Sequence, residues 1–215
     1  MTGAVLWDLD GTLVDSSGYH WQSWRDTLAA EGVSLTYEQF LASFGQKNDR
    51  ILRGWLGEAA PTERIQRIGD AKEAEYRRLA REGGLSALPG AAAWVTRLHR
   101  DGWRQAIASS APRLNVEVML GALALDGFFD AIVSAEDVTA GKPDPQVFQA
   151  AARRLHAEPH QSIVVEDAAA GLEAARRAGM RSIGVSRTAT LEADIAVRSL
   201  EDLPPDAFAR LLSKS

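Results

Sequence analysis

The chain has 215 residues, 46% of them hydrophobic and 25% charged, with a formal net charge of −5 and no cysteine. That length holds one large domain, or a core domain carrying a smaller insert, in the proportions of an ordinary globular protein. The acidic balance argues against nonspecific nucleic-acid binding, and the missing cysteine excludes disulfides and thiolate metal sites. No apolar run approaches the roughly 18 residues of a membrane span. The N-terminus lacks a basic stretch ahead of an apolar one and Asp8 interrupts its first apolar run, so no signal peptide is expected and a cytoplasmic protein is.

In chain order, the first β-rich run is Ala4–Trp7, and it ends in the acids of "VLWDLDGTLVDSS" (5–17). No strand follows between Asp15 and about Leu88. The apolar spacing there predicts helices at roughly 17–31, 36–44, 48–56 and 62–82. Thr36 and Gln39 have capping-box spacing, and Pro61 and "EGG" (82–84) bracket the last helix. From "LPGA" (88–91) onward, β-rich runs at Gln105–Ala108, Ala131–Val133, Ser162–Val165 and Ser182–Val185 alternate with amphipathic stretches at 90–102, 144–159 and 168–180. Gly102 and Gly179 fit helix C-termini, and "PDAFARLLSK" reads as a short final helix. Strands separated by single helices imply right-handed crossovers, hence an α/β fold with a doubly wound parallel sheet. The expected division is a core of residues 1–14 and 88–215, with an all-α insert of residues 15–87 after the first strand.

Ligands of an open parallel sheet bind beyond the carboxyl ends of its strands. Asp8 and Asp10 follow the first run, Ser109 and Ser110 the second, Lys142 of "AGKPDP" the third, and Glu166 and Asp167 of "VVED" the fourth. Two acid pairs, hydroxyls and a lysine converging on one crevice make a Mg²⁺ and phosphate site by chemical type. A Mg²⁺ ion bound by these carboxylates would offset their repulsion and neutralise a phosphoryl oxygen. Asp8, ionised at its reference pKa of about 3.9, can attack phosphorus without a base to activate it. Asp10, two residues on, can pass a proton to the leaving alkoxide and take one from the incoming nucleophile. Gly11 allows a tight turn and Thr12 supplies a hydroxyl to hold it. Ser109 can also cap a following helix.

"DLDGTLVDS", "IASS", "GKPDP" and "VVEDAAAG" resemble the four ordered motifs of the haloacid dehalogenase superfamily, and the helical insert resembles the cap of its β-phosphoglucomutase-like branch. The resemblance runs from residue 4 to about 203. It implies that Asp8 is the nucleophile forming an aspartyl-phosphate and Asp10 the general acid/base. It further implies that Ser109 binds the transferring phosphoryl group and Lys142 neutralises it. The implied metal set is Asp8, the main-chain carbonyl of Asp10, Asp167, and Glu166 as ligand or outer partner. The dehalogenase members use a single acid and no metal, and Asp10 and Asp167 point away from them.

In the insert, His20 and Trp24 share a helix face beside Trp21, where the aromatics could equally pack the helices together. By the resemblance, His20 matches a hinge residue of the mutases that positions the acid/base. "FGQKND" (44–49) lies where relatives place a substrate-reading loop, which makes Gln46, Lys47 and Asn48 substrate candidates, a solvated turn being the alternative. Arg78, in the basic run Arg77, Arg78 and Arg81, lies near a phosphate-binding cap lysine of the mutases; such a run otherwise makes a solvated face. Ser16 and Ser110 complete the candidate set. The expected protein is a monomeric Mg²⁺-dependent phosphatase acting on a small phosphorylated metabolite, a sugar or polyol phosphate, without nucleic-acid or membrane partners. A phosphosugar mutase using the same aspartyl-phosphate is the alternative. Hydrolysis is favoured because "SSAPRLN" puts Pro112 and Arg113 where the mutases carry Lys and Asn to grip a second phosphate. A receiver-type phospho-acceptor module lacks a large insert after the first strand and takes phosphate at a later one. A silent binding protein of the same fold would not need every chemical residue present.

Overall fold

The computed structural model describes residues 3–43 and 46–213. Within them lies a six-stranded parallel sheet of order β3-β2-β1-β4-β5-β6. Its strands are β1 (Ala4–Trp7), β2 (Arg104–Ala108), β3 (Ala131–Val133), β4 (Ser162–Glu166), β5 (Arg181–Val185) and β6 (Ile195–Val197). The order reverses at β1, so the loops after β1, β2 and β4 open beside one another at the switch point. All four residues of β1 are buried, as expected of a central strand covered on both faces. Its alternation divides the core. Val5 and Trp7 join Ile107, Ile163 and Ile183 on one face, under α5 (Ala91–Arg100), α6 (Arg113–Ala122) and α9 (Ala207–Ser213). Ala4 and Leu6 join Ala106, Ala108 and Val164 on the other, where small side chains let α7 (Gln146–Arg154) and α8 (Ala169–Arg177) approach closely.

Between β1 and α5 the chain forms α1 (Ser17–Ala30), α2 (Tyr37–Ser43), α3 (Asn48–Leu56) and α4 (Thr62–Gly83). These helices build their own apolar cluster around Trp24, Leu28, Phe40, Leu52, Ile65 and Ile68. The capping box before α2 is present: the Gln39 amide N–H donates to Thr36 Oγ1 at 3.2 Å, and the Thr36 N–H to Gln39 Oε1 at 2.9 Å. The helix expected to reach residue 44 is described to Ser43; Phe44 and Gly45 lie outside the described residues, as does Lys214 of the final helix. The segments entering and leaving the insert pair with each other. Asp15 N–H donates to the Ser86 carbonyl at 3.1 Å and Leu88 N–H to that of Leu13 at 2.9 Å, around a bridge between Val14 and Ala87.

Each expected strand and helix is present, shifted or trimmed at its ends, and β6 is additional. Its three residues pair with β5 at the sheet edge and none is fully buried, too short a run to stand out from its polar neighbours.

Candidate active site

The backbone of Asp8 extends the sheet ladder, its N–H donating to the Val165 carbonyl at 2.9 Å, which fixes the first acid at the rim of the central strand. The chain then turns: Gly11 N–H donates to the Val14 carbonyl at 3.0 Å and Leu13 N–H to that of Leu9 at 2.9 Å. Gly11 is required twice, because its φ is +82° and a Cβ there would lie 2.1 Å from Asp167 Oδ2. The loops after β1 and β4 are therefore in direct contact, and Asp167 leans over the turn that carries Asp10.

Lys142 ties three loops together. Its ammonium is buried and donates to Asp8 Oδ1 at 2.6 Å and to Glu166 Oε2 at 2.7 Å, with the Phe148 ring 5.1 Å away. The other Glu166 oxygen, Oε1, accepts the N–H groups of Asp167 (3.2 Å) and Ala168 (3.1 Å). Both oxygens of Glu166 are thus engaged, which suits it to orienting its neighbours. Carboxylate oxygens of Asp8, Glu166 and Asp167 lie within 4.8 Å of one another. Burial, and then the charge of Glu166, push Asp8 up to about 8 and Asp167 well above the usual carboxylate range, while Lys142 pulls both down. Burial opposes the charge on Lys142, but its two carboxylates outweigh that and raise it. The reference value that leaves Asp8 ionised at neutral pH belongs to a solvated side chain; here burial and the charge of Glu166 favour its protonated form.

Asp10 turns away from Lys142. Its Oδ1 accepts the Ser16 hydroxyl at 2.6 Å and His20 Nε2–H at 2.9 Å. Lys72 Nζ lies 2.8 Å from His20 Nδ1, and an ammonium can only donate, so Nδ1 accepts and Nε2 carries the proton. The imidazole stacks on Tyr76 at 4.1 Å between ring centroids. Burial pushes Asp10 up, yet His20, Ser16 and Lys72 together hold it below the usual range. Two carboxyls two residues apart are thereby driven in opposite directions by their surroundings.

Ser109 closes the site from β2. Its N–H donates to the Val133 carbonyl at 3.0 Å and its Oγ accepts Ala111 N–H at 3.0 Å, which leaves the hydroxyl proton to donate. Helix α6 starts only at Arg113, so Ser109 holds the loop and does not cap the helix. A cleft of about 520 Å³ opens in front of these groups. Asp8, Asp10, Ser109 and Ser110 line its sheet side; Trp24, Phe40, Gln46, Asn48, Lys72 and Glu73 line its helical side, with His20 between.

The structure brings Asp8, Asp10, Ser109, Lys142, Glu166 and Asp167 together, and places His20, Gln46, Asn48 and Ser110 at the same cleft. Three insert candidates stand elsewhere. Arg78 is exposed on α4, its guanidinium held by Glu75 (2.6 Å) and Glu82 (2.5 Å). Lys47 donates across to the carbonyls of Ala135 (2.9 Å) and Val138 (3.0 Å), clasping the insert to the loop after β3. Ser16 is fully buried and supports Asp10. Sequence reasoning missed Lys72, Glu73 and Asn115. The first two sit among the buried residues Ile65, Ile68, Gly69, Tyr76 and Leu79 of α4. A Lys-Glu pair inside that stripe was the available signal, because charged residues at core positions are paired and purposeful. Glu73 accepts from Asn48 Nδ2 (2.6 Å), Lys72 Nζ (2.8 Å) and Asn115 Nδ2. The third donor comes from α6, so Glu73 also joins the insert to the sheet domain.

A parallel sheet with an acid cluster at its switch point and a helical insert beside the mouth defines a doubly wound α/β fold with an inserted helical unit. The chain belongs to the haloacid dehalogenase-like hydrolases, whose family model matches residues 5–185, and within them to the β-phosphoglucomutase-like branch. It is 33% identical to protein CbbY of Cereibacter sphaeroides, over 85% of this chain and 84% of that one. It is 29% identical to validoxylamine A 7'-phosphate phosphatase of Streptomyces hygroscopicus subsp. limoneus, over 94% and 96%. The crystal structure of β-phosphoglucomutase from Clostridium difficile superimposes with a TM-score of 0.89 at 26% identity, covering 99% of this chain and 98% of that one. Phosphatases and mutases share this framework. No helix among the described residues is long and apolar enough to cross a membrane.

Proposed function

We propose that the protein is a Mg²⁺-dependent phosphatase that hydrolyses a small phosphorylated metabolite, a sugar or polyol phosphate, through an aspartyl-phosphate on Asp8. The observation that carries this reading is the pairing of two differently tuned acids at one cleft: Asp8 beside Lys142 and the acid cluster, Asp10 beside His20. The cluster fits a hard divalent cation, since three carboxylates lie together, two of them buried, Lys142 bonds only Asp8 and Glu166, and burial and then the charge of Glu166 push Asp8 and Asp167 upward. Asp8 and Asp167 would hold it, with the Asp10 carbonyl as a third ligand and Glu166 as orienting partner. Bound there, Mg²⁺ supplies charge neutralisation to a phosphoryl oxygen and keeps Asp8 ionised.

An Asp8 carboxylate oxygen attacks phosphorus as the ester P–O bond breaks, and the leaving alkoxide takes a proton from Asp10. Water then attacks the acyl phosphate and gives its proton to Asp10, which releases phosphate and restores both acids. The low-lying Asp10 carboxylate is the form that accepts the proton of water. Ser109 donates to a phosphoryl oxygen, and Lys142 offsets charge on the phosphoryl group and Asp8. Residues 15–87 act as a cap on a core of residues 1–14 and 88–215, closing over substrate to exclude water. The protein works as a cytoplasmic monomer.

Hydrolysis is preferred over mutation because Arg113 donates to the Ile132 carbonyl (2.9 Å) and Asp137 (3.0 Å), so it offers nothing to a second phosphate. The mutase reading draws on the likeness to β-phosphoglucomutase. ³¹P NMR with Mg²⁺ and a panel of sugar and polyol monophosphates tests both. Inorganic phosphate released by wild type, and neither by Asp8→Asn nor in EDTA, is the expected result. Glucose 6-phosphate formed from β-glucose 1-phosphate primed with the 1,6-bisphosphate would instead establish the mutase.

A further inference from the structure

The helical wall of the cleft carries a charge pattern that a phosphate-binding wall should not have. Among the described residues lining it, Lys72 is the only lysine or arginine on the helical side, and it is committed to Glu73 at 2.8 Å and His20 at 2.8 Å, beneath the Trp24 ring. Three further cations of the nearby helices are also committed, and Arg50 of α3 is exposed and outside the lining. Lys47 clasps two carbonyls of the sheet domain, Arg77 donates to Asn115 Oδ1 at 2.8 Å, and Arg78 is held by two glutamates. What faces the cleft beside Lys72 is the buried carboxylate of Glu73, with Asn48 at 2.6 Å.

From this geometry we infer that Glu73 is a specificity-determining residue that rejects a second anionic group, so the substrate is a monophosphate whose remainder is uncharged and rich in hydroxyls. The inference rests on the phosphatase reading and narrows its substrate class. A carboxylate only accepts hydrogen bonds, and Asn48, having given Nδ2 to Glu73, keeps Oδ1 as a second acceptor. Hydroxyl donors on the substrate satisfy both, while its carbon face lies against Trp24, Phe40 and Ile51. Neighbouring charges and hydrogen bonds hold Glu73 below the usual carboxylate range against the opposing effect of burial, so it remains an anion at neutral pH. A second phosphate on the substrate would find there only a lysine already paired with that anion at 2.8 Å. The same want of a free cation disfavours the bisphosphate that must form when a phospho-enzyme phosphorylates a sugar already carrying phosphate.

The test uses two non-hydrolysable ligands of one length, 5-hydroxypentylphosphonate and pentane-1,5-diylbisphosphonate, titrated calorimetrically into the Mg²⁺-loaded protein. Glu73→Gln releases Lys72 from its ion pair and so supplies the second phosphonate with a partner. Wild type is expected to bind the bisphosphonate at least ~30-fold more weakly, and Glu73→Gln to bring the two within about 5-fold of each other. Equal affinities in wild type overturn the inference whether or not the variant folds, as does a ratio that Glu73→Gln leaves unchanged in a folded protein. Failure of both ligands to bind overturns it as well. Turnover of p-nitrophenyl phosphate by the same preparation reports separately on the phosphatase reading, so the two failures are distinguishable.

Discussion

Replacing Lys142 by methionine keeps most of the buried volume and removes the charge between Asp8 and Glu166. The two contacts, 2.6 and 2.7 Å, join side chains that are all under a tenth exposed. Breaking a buried pair from one side costs about 3–5 kcal/mol, because a charge is left without its partner. A second route gives the same scale. The orphaned carboxylate can instead retain a proton, and at pH 7 that costs about 1.4 kcal/mol for each unit above an ordinary carboxylate pKa near 4, or about 4 kcal/mol. For a chain of this length, that lowers the melting temperature by roughly 8–16 °C. The sign with pH follows, because the folded variant in EDTA holds one proton more than the folded wild type while the carboxylates of the two unfolded chains titrate alike. Its deficit grows by about 1.4 kcal/mol per unit as pH rises above 4, reaching only about 1–2 kcal/mol at pH 5. Thermal unfolding of both proteins in EDTA at pH 5 and pH 7 measures this. A loss below about 3 °C at pH 7, or one of equal size at both pH values, would refute the reasoning.

Further outcomes are expected. Asp8→Asn should reduce turnover by about 10⁴-fold or more and abolish the acid-stable phosphoprotein formed by wild type, measured by single-turnover phosphate release. Mg²⁺ binding at pH 6.5 should release about one proton, seen by calorimetry in buffers of different ionisation enthalpy, and release should vanish well above the Asp8 value of about 8. For the metal-free protein the same raised value means that stability falls as pH climbs from the unfolded value of 3.8 toward about 8. His20→Ala should lower kcat by about 10²-fold with little change in KM, because Asp10 loses its orientation, and the acid limb of the pH–rate profile should shift. Lys47→Met removes the hydrogen bonds to Ala135 and Val138 and should raise KM by about 10-fold while speeding proteolysis in the insert.

Much of the sheet was legible in sequence because central parallel strands, buried on both faces, read as unbroken apolar runs; Ala4–Trp7 and Ser162–Val165 are examples. Edge position and brevity hid Ile195–Val197. The acids and Lys142, each ordinary alone in a turn or on a surface, were legible because they recur in order after successive strands. Local sequence does not report burial or the direction of a long side chain. The Arg77-Arg78 run looked like a cation source, yet one arginine donates to Asn115 and the other to two glutamates on its own helix. Lys72, which sequence reasoning passed over, lies beneath Trp24 against His20. The charge state of Asp8 was hidden for the same reason, since it depends on Glu166 and Lys142, more than 130 residues away along the chain.

The pairing of residues 13–15 with 86–88 has a consequence for how such a molecule can change. The insert leaves and re-enters the sheet domain through neighbouring backbone segments, so from the side of the sheet it is a loop whose ends are already held. Lengthening, shortening or exchanging what lies between adds little closure entropy, which grows only with the logarithm of loop length. Foreign helices grafted between residues 15 and 86 can therefore offer the same acids to new compounds, provided they bring back groups that do for Asp10 what Ser16, His20 and Lys72 do.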